Sequence, residues 1–152
     1  MVNVYMGIDP GKNGGLALIE AEDNNIRSYK TTPFNDVSLI GSLMMLKPKR
    51  VRCVVEKVGA MPGQGVTSMF NFGKNYGFIL GALESFGFSY ELVTPQKWKK
   101  EFGVTADKNT SIEVCRRLFP DVSLKRTERC KKDHDGMAEA LLMAEYARRH
   151  MR

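Results

Sequence analysis

Cysteine is scarce, and its three copies, Cys53, Cys115 and Cys130, are odd in number and far apart. Neither a disulfide framework nor a CxxC zinc site is therefore expected, and a reducing cytoplasm is the default compartment. Long apolar runs are missing as well. None approaches the roughly 18 residues that span a bilayer, and the opening MVNVYMGIDPG lacks the charged head and apolar stretch of a signal peptide. GxGxxG and HExxH do not occur, and GIDPGKNGG fails the GxxxxGK[ST] spacing of a phosphate-binding loop. No internal repeat or linker interrupts the chain. The 152 residues are 43% hydrophobic and 26% charged. That is a globular balance, unlike that of disordered chains, and the length suits one domain spanning residues 1–152.

Acidic charge is locally depleted. The chain has a net charge of +6, and residues 96–132 hold 11 basic and 5 acidic side chains, so this segment accounts for the whole excess. A concentrated basic stretch points to a polyanionic partner such as nucleic acid or a membrane surface.

Hydrophobic patterning predicts strands over 2–8, 14–20 and 26–32, the last two joined by the polar turn Asp23-Asn24-Asn25. Short connections of this kind suit an antiparallel meander. A helix over 37–46 is stopped by Pro48, a buried strand follows over 50–56, and a long helix is predicted over 66–86. Gly73, Gly77 and Gly81 fall every four residues along that helix, hence on one face, which predicts close packing on the sheet or on a partner subunit. A fifth strand over 88–93 leads to a short helix after Pro95. A helix capped by Thr105 or Asp107 runs to Phe119-Pro120, and a last one is opened by Asp133 or Asp135. This order predicts an α/β fold: a five-stranded mixed sheet, three antiparallel strands and then two parallel ones, with helices on both faces.

Two predicted strands end on an acid: VYMGI delivers Asp9 to Pro10-Gly11, and VRCVV delivers Glu56. Ligands of open α/β sheets gather beyond the carboxyl ends of parallel strands, so two neighbours would place these acids side by side; each alone could equally begin a solvated loop. Asp133, His134 and Asp135 precede the last helix, and Glu139 lies one turn after Asp135, within reach of the same site. Acids at a helix start also serve as caps and complement the helix dipole. Glu139 differs, because it sits among apolar positions where a bare charge is costly, which calls for a metal or a basic partner. Converging carboxylates need cations, and hard oxygen donors suit Mg2+ or Mn2+, with two ions about 3.5 to 4 Å apart in many phosphodiester-cleaving sites.

The segments GIDPGKNGGLAL, CVVEKVGAMPGQGVTSMFNFGKNYGFILGAL, VTPQKWKK, KNTSIEVCRRLFP and DHDGMAEALLMAEY together resemble the RuvC-type Holliday junction resolvases, most closely the bacteriophage-encoded branch. The resemblance runs in order along nearly the whole chain. It implies a ribonuclease H-like fold, a homodimer, and Mg2+- or Mn2+-dependent endonucleolytic cleavage of paired strands at a four-way DNA junction, in a host cytoplasm if phage-encoded. The first two family carboxylates correspond to Asp9 and Glu56. For the C-terminal pair, Asp135 is the first choice and Glu139 the second, with Asp133 and His134 as alternates; aligning ALLMA with the family helix puts Gly136 opposite the remaining acid. Lys99 and Lys108 are similar to lysines near the scissile phosphate, and Lys108 would face the developing charge. Lys97, Lys100, Arg126, Lys131 and Lys132 are expected to track phosphates, and Trp98 is expected in the core. Where the cellular branch carries an aromatic wedge, this chain reads Lys57-Val58-Gly59-Ala60-Met61, and the loop Pro62-Gly63-Gln64 offers Gln64 to the junction. Two other readings remain: a nuclease of the same fold acting on RNA:DNA hybrids or flaps, and a non-catalytic junction-binding module, which would gain nothing from strand-end acids.

Overall fold

The computed structural model describes residues 1–151. Strands β1 (Asn3–Asp9), β2 (Gly15–Glu22) and β3 (Asn25–Pro33) form an antiparallel meander. The β2–β3 turn takes the left-handed backbone at Asp23 (φ 50°) and Asn24 (φ 67°), as a two-residue hairpin turn requires. Helix α1 (Asp36–Met45), capped by the Asn35 side chain, and a 3₁₀ turn (Pro48–Arg50) lead into β4 (Val51–Glu56). Helix α2 (Val66–Ser85), β5 (Tyr90–Val93), α3 (Pro95–Phe102), α4 (Lys108–Leu118) and α5 (Asp135–His150) follow. The strand order is β3-β2-β1-β4-β5, with β4 parallel to both β1 and β5. This is the predicted mixed sheet, and the element limits agree to within about two residues. Among the described residues no helix is long and apolar enough to cross a membrane.

The period of two along each strand divides the core. Val4, Met6 and Ile8 of β1, Leu16 and Leu18 of β2, and Val51, Cys53 and Val55 of β4 pack with Leu39 and Leu43 of α1 and Ile79 and Leu83 of α2. The alternate residues Tyr5, Ala17, Ile19 and Val54 face α5, flanked by Trp98 and Phe102 of α3 and Val114 of α4. Helix α5 lies directly on β1 because Gly7 leaves room for it. A Cβ there would overlap the Ala140 carbonyl, and one on Gly15 would overlap the backbone of Gly136.

Two expectations are narrowed. Gly73, Gly77 and Gly81 do not pack on the sheet: they are exposed, and a Cβ on any of them meets nothing within 4 Å. The cap of α5 is neither Asp133 nor Asp135 but His134, whose Nδ1 accepts the Met137 N–H at 3.1 Å. Asp135 is the first residue of the helix, where a negative charge suits the dipole.

Candidate active site

Parallel pairing sets the first two acids. β1 and β4 are in register at Ile8 and Val55, so the next residue of each strand, Asp9 and Glu56, emerges at the same sheet end. The turn after β1 holds Asp9 through a Gly11 N–H donated to its Oδ1 at 3.2 Å. Glu56 is held from a distance in sequence: the indole Nε1–H of fully buried Trp98 donates to its Oε2 at 2.8 Å. The close contact of α5 with Gly7 brings in the third acid, since Glu139 immediately precedes Ala140. The Ser111 hydroxyl of α4 donates to Glu139 Oε1 at 3.3 Å.

These three carboxylates influence one another. Burial pushes the Asp9 carboxyl well above its usual range, and the charges of Glu56 and Glu139 push it further, against the Gly11 hydrogen bond. Burial also raises Glu56, and Glu139 adds to this while the Trp98 hydrogen bond and the charge of Lys99 oppose it. A buried acid among acids is an unfavourable arrangement that a cation relieves. The donors are all hard oxygens, so in charge and chemistry they fit Mg2+ or Mn2+. Among the described residues no three such side chains are drawn close enough to clasp an ion as they stand. Asp9 and Glu139 open onto a shared space, with Glu56 beside Asp9.

That space is a pocket of about 350 Å³ lined by Asp9, Asp135 and Glu139 together with Lys12, Lys99 and Lys108. Lys108 Nζ lies 3.4 Å from Asp135 Oδ2, with the lysine side chain 77% exposed and free to turn toward a ligand. The expected residues Asp9, Glu56, Asp135, Glu139, Lys99 and Lys108 are thus assembled at one end of the sheet.

The alternates Asp133 and His134 lie outside this pocket, in the lining of the groove that adjoins it. Asp133 Oδ2 meets Arg116 at 2.7 Å, and its Oδ1 meets Lys125 at 3.1 Å as an ion pair without a directed hydrogen bond. The Arg116 hydrogen bond, with Lys125, holds its carboxyl below the usual range. His134 spends Nδ1 on the helix cap. Lys97 and Lys100 are exposed on α3, and Gln64 is exposed on the loop before α2, outside the pocket lining. Arg126, Lys131 and Lys132 line an adjoining groove that shares Lys108 and Asp135 with the pocket.

Three contributors escaped sequence reasoning. Lys12 follows Asp9 closely enough that the strand-end argument could have included it, and Ser111 lies one turn after Lys108 on α4. Trp98 carried no sequence signal as a partner of an acid 42 residues away.

No family model and no curated protein matches this chain. Solved structures do. Thermus thermophilus RuvC in complex with a Holliday junction substrate is similar over 97% of this chain and 96% of its own, with 20% identity and a TM-score of 0.58. A second Thermus thermophilus RuvC structure is similar over 96% of each chain, with 19% identity and a TM-score of 0.55. The chain therefore has a ribonuclease H-like fold of the RuvC type.

Proposed function

We propose that this chain is a metal-dependent endodeoxyribonuclease that resolves four-way and other branched DNA, a Holliday junction resolvase of the bacteriophage-encoded type acting as one domain over residues 1–152. The observation that carries the reading is the convergence of Asp9, Glu56 and Glu139, with the Asp9 carboxyl raised by burial and by its neighbours, beside a pocket that Asp9 and Glu139 line together with Asp135, Lys99 and Lys108. The RuvC-type fold and the sequence resemblance support it, and one of the similar structures is described in complex with a junction.

Asp9, Glu56, Glu139 and Asp135 would hold Mg2+ or Mn2+, two ions per site. Bound there, the metal supplies charge neutralisation and activation of water for phosphodiester hydrolysis. The chain's own residues do the rest. Trp98 holds one oxygen of Glu56, Ser111 holds one of Glu139, and the Gly11 N–H orients Asp9. Lys108 and Lys99 bring positive charge to the phosphate, where it counts most as charge builds in the transition state. Basic residues on α3 and before α5 would hold the DNA backbone, so affinity falls with salt as counterions are released.

The active form would be a homodimer built on α2. Val66, Phe70 and Phe78 are 87%, 70% and 40% exposed, on a stripe beside the uncovered Gly73, Gly77 and Gly81. Such a face needs a cover. Phe70→Asp should shift the protein to monomer in sedimentation and abolish paired cleavage.

The deciding experiment is cleavage of a mobile four-way junction under Mg2+, with strand-resolved products, beside an RNA:DNA hybrid and a flap of equal length. Paired cuts in opposite strands of the junction are expected. Preference for the hybrid would replace this reading by the general nuclease, and metal-independent binding without cleavage would replace it by the binding module.

A further inference from the structure

Between α4 and α5 the chain runs through residues 119–134 without a helix or a named strand, yet it is firmly tied. Val122 and Leu124 are buried. The His134 N–H donates to the Leu124 carbonyl at 2.7 Å, the Cys130 N–H donates to the Thr127 carbonyl at 3.0 Å, and Lys125 and Asp133 form an isolated antiparallel bridge. The Lys125 ammonium also donates to the Lys131 carbonyl.

Asp133 is the centre of these ties. Its carboxylate is 20% exposed and joins Arg116 of α4, at 2.7 Å, to Lys125 of the loop, at 3.1 Å. Both cations are thereby occupied. Arg126, Lys131 and Lys132 remain exposed and line a groove of about 500 Å³ with Asn13, Lys108 and Asp135, three residues that also line the acidic pocket. The two hollows adjoin as one trench: three acids and three lysines line the part where the bond would be cut, and the arm beside it carries Arg126, Lys131 and Lys132, with Asp133 also in its lining.

We propose that Asp133 is the positioning residue of a phosphate clamp: by pinning the 119–134 loop to α4, it holds Arg126, Lys131 and Lys132 along the trench, where they grip backbone phosphates of the DNA strand to one side of the cut. This rests on the nuclease reading above and adds an order to it. Without the pin, ordering the loop on DNA would cost conformational entropy at the moment of binding. With it, the cost is met on folding. The assignment also separates Asp133 from Asp135, two residues along, which faces the pocket.

The test exploits a sign. Removing an acid beside DNA ordinarily strengthens binding; the clamp predicts that Asp133→Asn weakens it. In an Asp9→Asn background, anisotropy titration of a fluorescent four-way junction should show affinity lower by about tenfold or more at moderate salt. The log K against log salt slope should be shallower by about 2 to 3, the share of three phosphate contacts. The triple variant Arg126→Gln/Lys131→Gln/Lys132→Gln changes only exposed side chains and should show the same slope. Adding Asp133→Asn to it should cost little more, because both changes act through one element. Asp133→Glu should recover part of the affinity, and hydrogen exchange of residues 121–133 should quicken in Asp133→Asn while the sheet stays protected. Arg116→Gln breaks the same pin from the α4 side and replaces Asp133→Asn should that variant fold poorly. Unchanged or tighter binding with an unchanged slope would overturn the clamp while leaving the nuclease reading intact. So would a raised Mg2+ midpoint in thermal-shift titration of Asp133→Asn on the otherwise native chain, which would make Asp133 a ligand. Absence of junction binding by the native protein would instead remove the nuclease reading together with the clamp.

Discussion

Helix α5 carries two inward-facing glutamates six residues apart, and they live in opposite circumstances. Glu145 is 3% exposed and fully compensated: Arg148 meets both its oxygens at 2.7 and 2.8 Å, and Arg149 adds a contact at 2.8 Å. Glu139 is half-buried beside Asp9 and Glu56, with a neutral hydroxyl rather than a cation donating to it. The difference shows that burial of an acid does not by itself mark a working residue. At the C-terminal end of the helix, charge is neutralised and the structure gains a tie. At the N-terminal end, Glu139 has no ion-pair partner and stands beside two other acids, which costs stability and suits a cation.

The largest effect comes from breaking the uncompensated end. Asp9→Asn should lower junction cleavage by about a thousandfold or more, the scale of losing a group that stabilises transition-state charge, while binding in the absence of metal persists. The same change should raise the thermal midpoint of the metal-free protein, by about 2 to 4 °C for each kcal/mol of relieved burial cost and repulsion. The pH dependence has a definite sign. Because the Asp9 pKa is raised on folding, its favourable contribution is complete below the unfolded value of about 3.9 and is lost as pH rises through the folded value. The gap between native and Asp9→Asn midpoints should therefore be widest at neutral pH and close on acidification. A native-like midpoint at all pH values would refute the repulsion.

Breaking the compensated end should do the reverse. Glu145→Ala should destabilise by about 1 to 3 kcal/mol, less than for a sealed ion pair because Arg148 and Arg149 are 21% and 36% exposed and can turn to water. Denaturant midpoints check this, and cleavage below the unfolding range should survive. Trp98→Phe keeps the packed ring but removes the hydrogen bond to Glu56, so kcat should fall about tenfold, within the range of a hydrogen bond to a charged group. Glu56 should then titrate higher, moving the acid limb of the pH–rate profile upward. The smallest effect belongs to Ser111→Ala, a few-fold in kcat and under about 1 kcal/mol in stability.

How much of this could be read in the residues depends on how far apart the partners lie. The strands were legible because alternation separates Val4, Met6 and Ile8 from Tyr5 and Gly7, and a strand-end acid keeps its position whatever surrounds it. The parallel pairing of β1 with β4, which the residues do not state outright, is what makes Asp9 and Glu56 neighbours. The acids before α5 were not separable, since spacing alone cannot tell which of Asp133 and Asp135 meets Arg116 and Lys125. Those partners are 17 and 8 positions away and come together only when the loop folds. The glycine stripe on α2 was visible as a pattern, but the surface it serves was not: its uncovered positions show that the sheet is not that surface. Trp98 was rightly expected in the core, and only its buried ring brings its N–H to Glu56.

A single absent methyl group sets the gauge of the site. At Gly7 the sheet and the backbone of α5 touch, and Glu139 is next to the residue that makes the touch. The spacing between the strand acids and the helix acid is thus a machined clearance, kept by the contact of backbone on backbone. An alanine at position 7 would act as a shim, lifting one jaw of the site from the other while every reactive group stayed in the chain.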